Sequence, residues 1–347
     1  MAGRLGRGLW AHVQTWRPYT LWYPGLVGVA GAALAGGSPS PGALGVAWAA
    51  PTLGWLGGHY LGDFFDRRLD AIGKPQRPIP SGRLSPRAAV ICGTGCAVGA
   101  AVVTVLVSWL ALVLVAAAMA GVVAYAKVFK ARGLSGNAVR GALTAITVLH
   151  GALTVTGQPP WRVLPFALVF AVHDTASNLV GTLRDVAADR AGGYRTLPVL
   201  RGVRPAAVTA ARLYAAALAL ASACAWLVPA SPVGCLALLL LAGGCGAAAY
   251  LPLLRPGREI TPPRALAAHE VLVSERLVLA AAVVAGGIGP TAALSLLLPL
   301  LAVTVLAQSR MRARYELAPS GVPETSEPAG LAGLPAPHHT PAHDGNG

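Results

Sequence analysis

Apolar runs long enough to cross a lipid bilayer recur along most of this 347-residue chain. A helix of about 20 apolar residues spans the hydrocarbon layer, which is roughly 30 Å thick. Inside that layer every backbone N–H and C=O must be hydrogen-bonded within the protein, so successive runs of this length must fold as helices. Ten such runs occur, at residues 19–37, 43–63, 87–107, 109–127, 138–157, 163–183, 205–228, 233–253, 267–287 and 291–308. Because 55% of the residues are hydrophobic and 12% are charged, we predict an all-α, polytopic membrane helix bundle.

Basic residues are concentrated in alternate loops between these runs. Clusters precede the first run and follow the second, fourth, sixth, eighth and tenth runs, with Arg162 as the main exception. Lys and Arg are enriched on the cytoplasmic side of membrane proteins. The pattern predicts a multi-pass protein of the cell membrane, with ten spans and both termini in the cytoplasm. A nine-span alternative stays open, in which the last run is re-entrant or the cluster from Arg310 to Arg314 lies outside.

This topology accounts for most of the net charge of +14. No basic face with interleaved aromatic residues indicates a nucleic-acid partner, so we expect membrane lipid around the protein and no nucleic acid. Residues 1–16 are predicted to be a cytoplasmic N-terminal segment and residues 17–315 the transmembrane domain. Residues 316–347 are predicted to be a disordered tail, because they are rich in Pro, Gly, Ser and His and have no apolar period.

Two aspartate pairs share a DxxxD spacing where an apolar run ends in a basic loop. Asp66 and Asp70 follow the second run, and Asp185 and Asp189 follow the sixth, in a chain with only 13 acidic residues. Side chains four residues apart lie on the same face of a helix, so each pair points one way. Clustered carboxylates at a membrane edge need a cation, and Mg²⁺ prefers oxygen ligands shared with substrate phosphates. The four aspartates are therefore predicted metal ligands, in two loops on the cytoplasmic side.

Basic side chains next to these acids are candidates for binding phosphate. Lys74, Arg77 and Arg195 follow the two motifs, and Lys127 and Lys130 end the fourth run. Ammonium and guanidinium groups neutralise phosphate oxygens. The same residues also fit an anchoring role on the cytoplasmic side.

The flanks of both motifs carry a family resemblance. Asp63-Phe-Phe-Asp66-Arg-Arg-Leu-Asp70, followed by Lys-Pro-Gln-Arg-Pro-Ile-Pro-Ser-Gly, resembles the first aspartate-rich motif of the UbiA-type intramembrane prenyltransferases. Asp185-Val-Ala-Ala-Asp189-Arg-Ala-Gly-Gly-Tyr-Arg-Thr-Leu-Pro resembles their second motif. The order of the two motifs, their separation and their polytopic setting resemble those of the family over roughly residues 17–290.

The resemblance implies a helical bundle around a central cavity that is capped on the cytoplasmic side by the two motif loops. It implies that Mg²⁺ held by the aspartates binds a prenyl diphosphate, with Asp63 and the basic residues in the substrate site. Ionisation then gives an allylic cation that an acceptor captures. Tyr125 resembles the tyrosine that precedes the basic end of span four in the family, where it cradles the diphosphate or shields the cation.

The chain departs from the family pattern at Gly62 and Gly181, where an Asn usually precedes each motif by four residues. His59 and Asn178 lie seven residues before Asp66 and Asp185, and seven residues return a helix to nearly the same direction. We expect them to supply the missing polar contact two turns deeper. The alternative is that Asn178 makes interhelical hydrogen bonds and that His59 is satisfied at a helix end.

Asp174 lies 11 residues before Asp185 on the same predicted stripe, deeper in the chamber. There it touches the acceptor or positions a base. The alternative is a pairing with His150 or His173.

The leading hypothesis for function is Mg²⁺-dependent transfer of a prenyl group from a prenyl diphosphate to a small hydrophobic acceptor. Resemblance alone implies that the acceptor is aromatic or a quinone precursor. An intramembrane terpene cyclase using the same ionisation is the alternative. A transporter is disfavoured, because the acids cluster at helix ends and not at the membrane midplane.

Overall fold

The computed structural model describes residues 2–37 and 39–317, so residues 318–347 of the predicted tail lie outside the described residues. The described chain is mostly helical, which confirms the predicted all-α class. The helices are α1 (Ala2–Trp16), α2 (Tyr23–Ala35), α3 (Pro41–Gly73), α4 (Pro86–Val105), α5 (Trp109–Ala124), α6 (Ser135–Leu153), α7 (Val163–Thr182), α8 (Val186–Ala191), α9 (Leu197–Arg201), α10 (Val203–Cys224), α11 (Pro232–Leu254), α12 (Pro262–Ile288), α13 (Pro290–Ala307) and α14 (Ala313–Glu316). A π-helical turn extends α5 over Tyr125–Phe129 and another extends α13 over Gln308–Arg312.

Each predicted apolar run overlaps one of these helices. Among the described residues, seven helical segments are long and apolar enough to cross a membrane, namely α4, α5, α7, α10, α11, α12 and α13 with their short extensions. α2 is apolar but has 13 residues. The chain is a multi-pass membrane protein, and the ten crossings stay a prediction.

The centre of the bundle is formed by α2, α7 and α12. All residues of α2 are buried, and α12 is buried along most of its length. The outer helices α4, α5 and α13 instead expose large apolar side chains such as Val98, Trp109 and Leu298. An exposed apolar surface of this kind suits contact with lipid tails.

Small residues let the central helices approach backbone to backbone. A Cβ atom at Gly28 of α2 would overlap the Ala47 carbonyl of α3, and one at Gly151 of α6 would overlap the Gly28 carbonyl. Close packing of this type provides much of the association energy of membrane helices, since burial from lipid provides none. α2 is therefore fixed between α3 and α6.

Two loops at one end of the bundle are joined by a short parallel strand pair. Strand β1 (Arg132–Gly133) pairs with β2 (Arg195–Thr196), with Arg132 opposite Arg195. The chain reaches β2 from α8 through Gly193, whose φ of 75° is readily adopted by glycine. The pair fixes the loop after α5 against the loop after α8.

Candidate active site

One cavity of about 220 Å³ is lined by residues of both aspartate motifs. α3 brings Asp66 and Asp70 to this cavity, and α8 with the residue before it brings Asp185 and Asp189. Residues of α5, α6, α7, α12 and α14, with the loop between α1 and α2, contribute to the rest of the wall. The two motifs, distant in sequence, therefore line the same chamber.

The carboxylates of the first motif are ion-paired. Lys130 Nζ lies 2.5 Å from Asp66 Oδ2, and Arg77 Nη1 lies 3.0 Å from Asp70 Oδ2. α3 ends at Gly73 because Pro75 disfavours a helical conformation at Lys74. The loop then folds back, and its Arg77 covers Asp70.

The second motif is divided between a loop and a short helix. Lys74 Nζ lies 3.0 Å from Asp185 Oδ1, while Asp189 accepts a hydrogen bond from Thr196 Oγ1 at 3.1 Å. Burial raises the pKa of Asp185, but the cations of Lys74 and Arg184 outweigh it, so this pKa is below its ordinary value. Burial, and then the Asp185 carboxylate, raises the pKa of Asp189 to about 6. Asp185 is thus held ionised, and Asp189 lacks a close cation among the described residues.

The oxygen-only character of these four side chains fits Mg²⁺. Among the described residues, no three His, Cys, Asp or Glu side chains converge closely enough to hold a metal ion as they stand. The physical reason is that three of the four carboxylates are turned toward a lysine or arginine. A diphosphate bound with the metal would offer those cations an alternative anion and would free the carboxylates to hold Mg²⁺.

The comparison with known proteins identifies the family. A model of the UbiA prenyltransferase family matches residues 21–260, which is 240 of the chain's 347 residues. The chain belongs to the UbiA prenyltransferase family. It is therefore a prenyltransferase, as the two motifs and their flanks predicted.

Archaeal relatives of this UbiA-family chain are digeranylgeranylglyceryl phosphate synthases. That of Natronomonas pharaonis is 38% identical over 205 residues, which cover 59% of this chain and 73% of the relative. That of Halobacterium salinarum is 37% identical over 216 residues, which cover 62% and 76%.

Solved structures share the fold. A UbiA homologue from Archaeoglobus fulgidus bound to DMAPP and Mg²⁺ has a TM-score of 0.64 at 14% identity, covering 82% of this chain and 99% of that chain. A structure of digeranylgeranylglyceryl phosphate synthase has a TM-score of 0.60 at 19% identity, covering 81% and 99%. The predicted helical bundle is that of the UbiA fold.

Glu316 is a residue of this UbiA-family site that the sequence prediction missed. It was assigned to the disordered tail, but it is the last residue of α14 and is only 6% exposed. Its Oε2 lies 2.9 Å from Arg77 Nη2, 2.9 Å from Arg184 Nη2 and 3.5 Å from Lys74 Nζ. The sequence signal that could have identified Glu316 was an acidic residue two positions after the basic cluster at Arg310–Arg314. The C-terminal helix therefore supplies an anion to the cations of both motifs.

Asp63 and Tyr315 connect the same helix to α3. Tyr315 donates a hydrogen bond to Asp63 Oδ2 at 3.0 Å, and Arg17 forms an ion pair with Asp63. The Arg17 guanidinium also lies 5.2 Å from the centre of the Tyr315 ring. Asp63 thus lines the cavity but is held by neighbours from the first loop and the last helix.

His59 and Asn178 line the cavity; Asn178 makes the interhelical contact given as its alternative, whereas His59 has a partner but lies within α3 and not at its end. His59 Nδ1 lies 3.1 Å from the Trp16 carbonyl oxygen, and Asn178 accepts a hydrogen bond from Asn137 at 2.9 Å. The predicted continuity from Asn178 to Asp185 was wrong, because α7 ends at Thr182 and α8 is a separate helix.

Lys127 and Arg195 do not line the cavity. Both are exposed; Lys127 Nζ lies 5.6 Å from the centre of the Phe65 ring, and the Arg195 backbone belongs to β2. Tyr125, by contrast, lines the cavity, and Arg140 lies 5.7 Å from the centre of its ring. Of the five predicted basic residues, three therefore reach the chamber: Lys74, Arg77 and Lys130.

Asp174 lies deeper in the cavity wall. It accepts a hydrogen bond from Thr144 at 2.9 Å, and Arg276 Nη1 lies 3.8 Å from its other oxygen. The alternative pairing with His150 or His173 is not found, because these bond to Thr104 and Glu275, respectively. Asp174 therefore lines the chamber while Thr144 and Arg276 hold it, and it is only 2% exposed.

A second, apolar cavity of about 80 Å³ adjoins the first. Five residues line both cavities: Trp55, Gly58, Val122, Arg140 and Leu143. The apolar cavity follows α6 from Arg140 to His150, a rise of about 15 Å. The polar chamber thus borders this apolar cavity, called the apolar tunnel below, whose lining suits a hydrocarbon chain.

Proposed function

We propose that this prenyltransferase moves a prenyl group from a prenyl diphosphate to an acceptor, with Mg²⁺ held by Asp66, Asp70, Asp185 and Asp189. The observation that carries the proposal is one polar cavity with four aspartates and several cations, bordered by an apolar tunnel. We place the diphosphate among the charged residues of the polar cavity and the prenyl chain in the apolar tunnel. The basic loops support a cytoplasmic position for this end of the bundle.

In this proposal Lys74, Arg77 and Lys130 exchange their carboxylate partners for diphosphate oxygens. When bound, Mg²⁺ supplies positive charge that stabilises the departing diphosphate. The allylic C–O bond breaks with its electron pair leaving on the diphosphate. The acceptor oxygen bonds to the allylic carbon and loses its proton to a base in the chamber or to the released diphosphate.

The Trp55 ring lines both cavities, and the Tyr125 ring lines the polar cavity beside Arg140, which also lines both. An aromatic face stabilises a nearby cation, and a water-poor tunnel limits its hydrolysis. The two rings are therefore proposed to face the allylic group during transfer.

We propose a glyceryl phosphate that already carries a prenyl chain as the acceptor. This follows the names of the archaeal relatives. It replaces the aromatic or quinone-precursor acceptor expected from resemblance. The solved homologues bound to DMAPP and to GPP with Mg²⁺ support the donor class.

The test is product analysis with the purified protein, Mg²⁺ and a panel of prenyl diphosphates of increasing length. Mass spectrometry should find the prenyl ether of geranylgeranylglyceryl phosphate together with released diphosphate. Asp66→Asn and Asp185→Asn should each lose about a hundredfold or more in rate, whereas the exposed Glu259→Gln should not. A cyclic product without acceptor would establish the cyclase instead, and no diphosphate release from any donor would refute the proposal.

A further inference from the structure

The deep end of the polar cavity carries more positive than negative charge. Around the aspartate motifs, six acids and six lysines or arginines line the wall, so that end is balanced. Deeper in the bundle, Arg140 and Arg276 face the single carboxylate of Asp174. Asp174 lies eight residues before the end of α7, or about 12 Å below it. Among the residues that line this cavity, one cation is therefore in excess at its deep end.

Arg140 has no hydrogen-bonding partner for its guanidinium among the described residues. It packs on aromatic rings instead, 4.4 Å from the centre of the Trp55 ring and 5.7 Å from that of Tyr125. Packing of this kind holds the group in place and leaves its edge free for an anion.

Arg276 is only 4% exposed and is incompletely paired. Its Nε and Nη2 atoms are buried without a hydrogen-bond partner in the part of the chain that the structure describes. Its contact with Asp174 is 3.8 Å long, and its guanidinium lies 4.4 Å from the centre of the Tyr23 ring. A buried charge normally has close partners, because removing it from water is costly. The free edge of Arg276 is thus suited to a ligand.

We infer that Arg140 and Arg276 bind the anionic group of the acceptor, a phosphate or a carboxylate. This inference rests on the proposed prenyl transfer, which makes the bound anion part of an acceptor. The anion site itself rests only on the two guanidinium groups. Arg140 lines both the polar cavity and the apolar tunnel. An anion held there therefore lies beside the place where the prenyl chain enters the tunnel.

The position also couples acceptor binding to ionisation of the donor. Two guanidinium groups near the tunnel mouth disfavour an allylic cation while no acceptor is bound. An anionic acceptor neutralises the excess charge, so the cation forms when its nucleophile is present. Without acceptor, hydrolysis of the donor should be slow.

The first test is equilibrium binding in detergent without donor or Mg²⁺. Geranylgeranylglyceryl phosphate is the probe, geranylgeranylglycerol is its neutral counterpart, and a hydroxybenzoate tests a carboxylate source. Arg140→Gln and Arg276→Gln should each weaken phosphate-probe binding by about tenfold to a hundredfold, the loss of one or two charge-assisted hydrogen bonds. Arg140→Lys should restore part of the affinity. Arg212→Gln removes the same charge from an exposed position that does not line the cavity, and it should leave phosphate-probe binding unchanged.

Kinetics provide a second readout. In both Gln variants the KM for the acceptor should rise while the KM for the prenyl diphosphate stays unchanged. A parallel rise in both KM values would assign these arginines to the diphosphate and overturn the inference. Equal binding of the phosphate probe and geranylgeranylglycerol would overturn it as well. If the hydroxybenzoate bound more tightly than geranylgeranylglyceryl phosphate, the anion site would be supported and its ligand would be a carboxylate.

Arg140→Gln keeps the test decisive if Arg276→Gln fails to fold, since Arg140 donates no hydrogen bond among the described contacts. Failure of the wild-type protein to release diphosphate from any donor would refute prenyl transfer. Phosphate-probe binding that depends on the two arginines would survive that failure. The two outcomes are therefore distinguishable.

Discussion

Replacing Glu316 with glutamine should tighten binding of the prenyl diphosphate and weaken the ligand-free fold. The carboxylate lies within 3.5 Å of Lys74, Arg77 and Arg184, all at the aspartate end of the cavity. A diphosphate that uses these cations must compete with Glu316 for them. Glu316 therefore acts as an internal anion that the substrate displaces.

The size of both effects follows from the contacts. Removing one partner of a buried ion pair costs about 3–5 kcal/mol of folding stability, because the remaining charge loses its compensation. Arg77 keeps Asp70 and Arg184 keeps Asp185, so the lower end, about 3 kcal/mol, is expected for Glu316→Gln. For the donor, one charge-assisted hydrogen bond no longer has to be displaced. That gain is at least about 1.4 kcal/mol, or a tenfold lower Kd.

The assay combines thermal unfolding with titration of a non-hydrolysable prenyl diphosphate analogue in the presence of Mg²⁺. Glu316→Gln should unfold at a lower temperature without ligand and should be stabilised more strongly by the analogue than the wild type. Glu316→Asp keeps the charge, and Glu259→Gln removes an exposed acid, so both are matched controls. An unchanged or higher Kd for the analogue in Glu316→Gln would refute the competition.

Four further outcomes are expected. Because the pKa of Asp189 is raised to about 6, protons should compete with Mg²⁺ at this carboxylate. The Mg²⁺ concentration that gives half-maximal rate should therefore rise about tenfold per pH unit below 6. A Mg²⁺ concentration for half-maximal rate that stays constant from about pH 5 to 7 would contradict this. In metal-free protein the same raised pKa stabilises the fold at low pH, and denaturant titrations should find that contribution lost as the pH rises through about 6. Gly54→Leu places a side chain in the apolar tunnel and should exclude the longest donors in product analysis, whereas Gly244→Leu, with open space around it, should not. Gly151→Leu collides with the α2 backbone and should reduce the yield of folded protein in size-exclusion chromatography, by about 3 kcal/mol or more of lost stability; a wild-type elution profile and melting temperature would argue against that packing.

The sequence predicted the parts of this site that depend on local pattern. Apolar length located the helices, and helical spacing paired Asp66 with Asp70 on the continuous α3. Lys74 and Arg77, the basic candidates in the proline-rich loop after α3, both line the cavity. Local spacing is informative here because the element is regular and ends at a proline.

Irregular helix geometry explains why one predicted residue is not at the site. Lys127 and Lys130 were both candidates because both end the fourth run, but the π-helical turn over Tyr125–Phe129 winds more widely than an α-helix and leaves Lys127 outside the cavity. Glu316 was missed for another reason. It meets residues more than 200 positions earlier, and no local pattern reports contacts between such distant segments.

The pairing of β1 with β2 limits how this enzyme can be recombined with its relatives. The Arg195 N–H donates to the Ala131 carbonyl at 2.9 Å, and the residue before Ala131, Lys130, is the partner of Asp66. A chimaera that imports one of these loops alone would join two segments that were not selected together. Loop exchange aimed at new donors or acceptors should therefore move residues 125–134 and 183–196 as one unit.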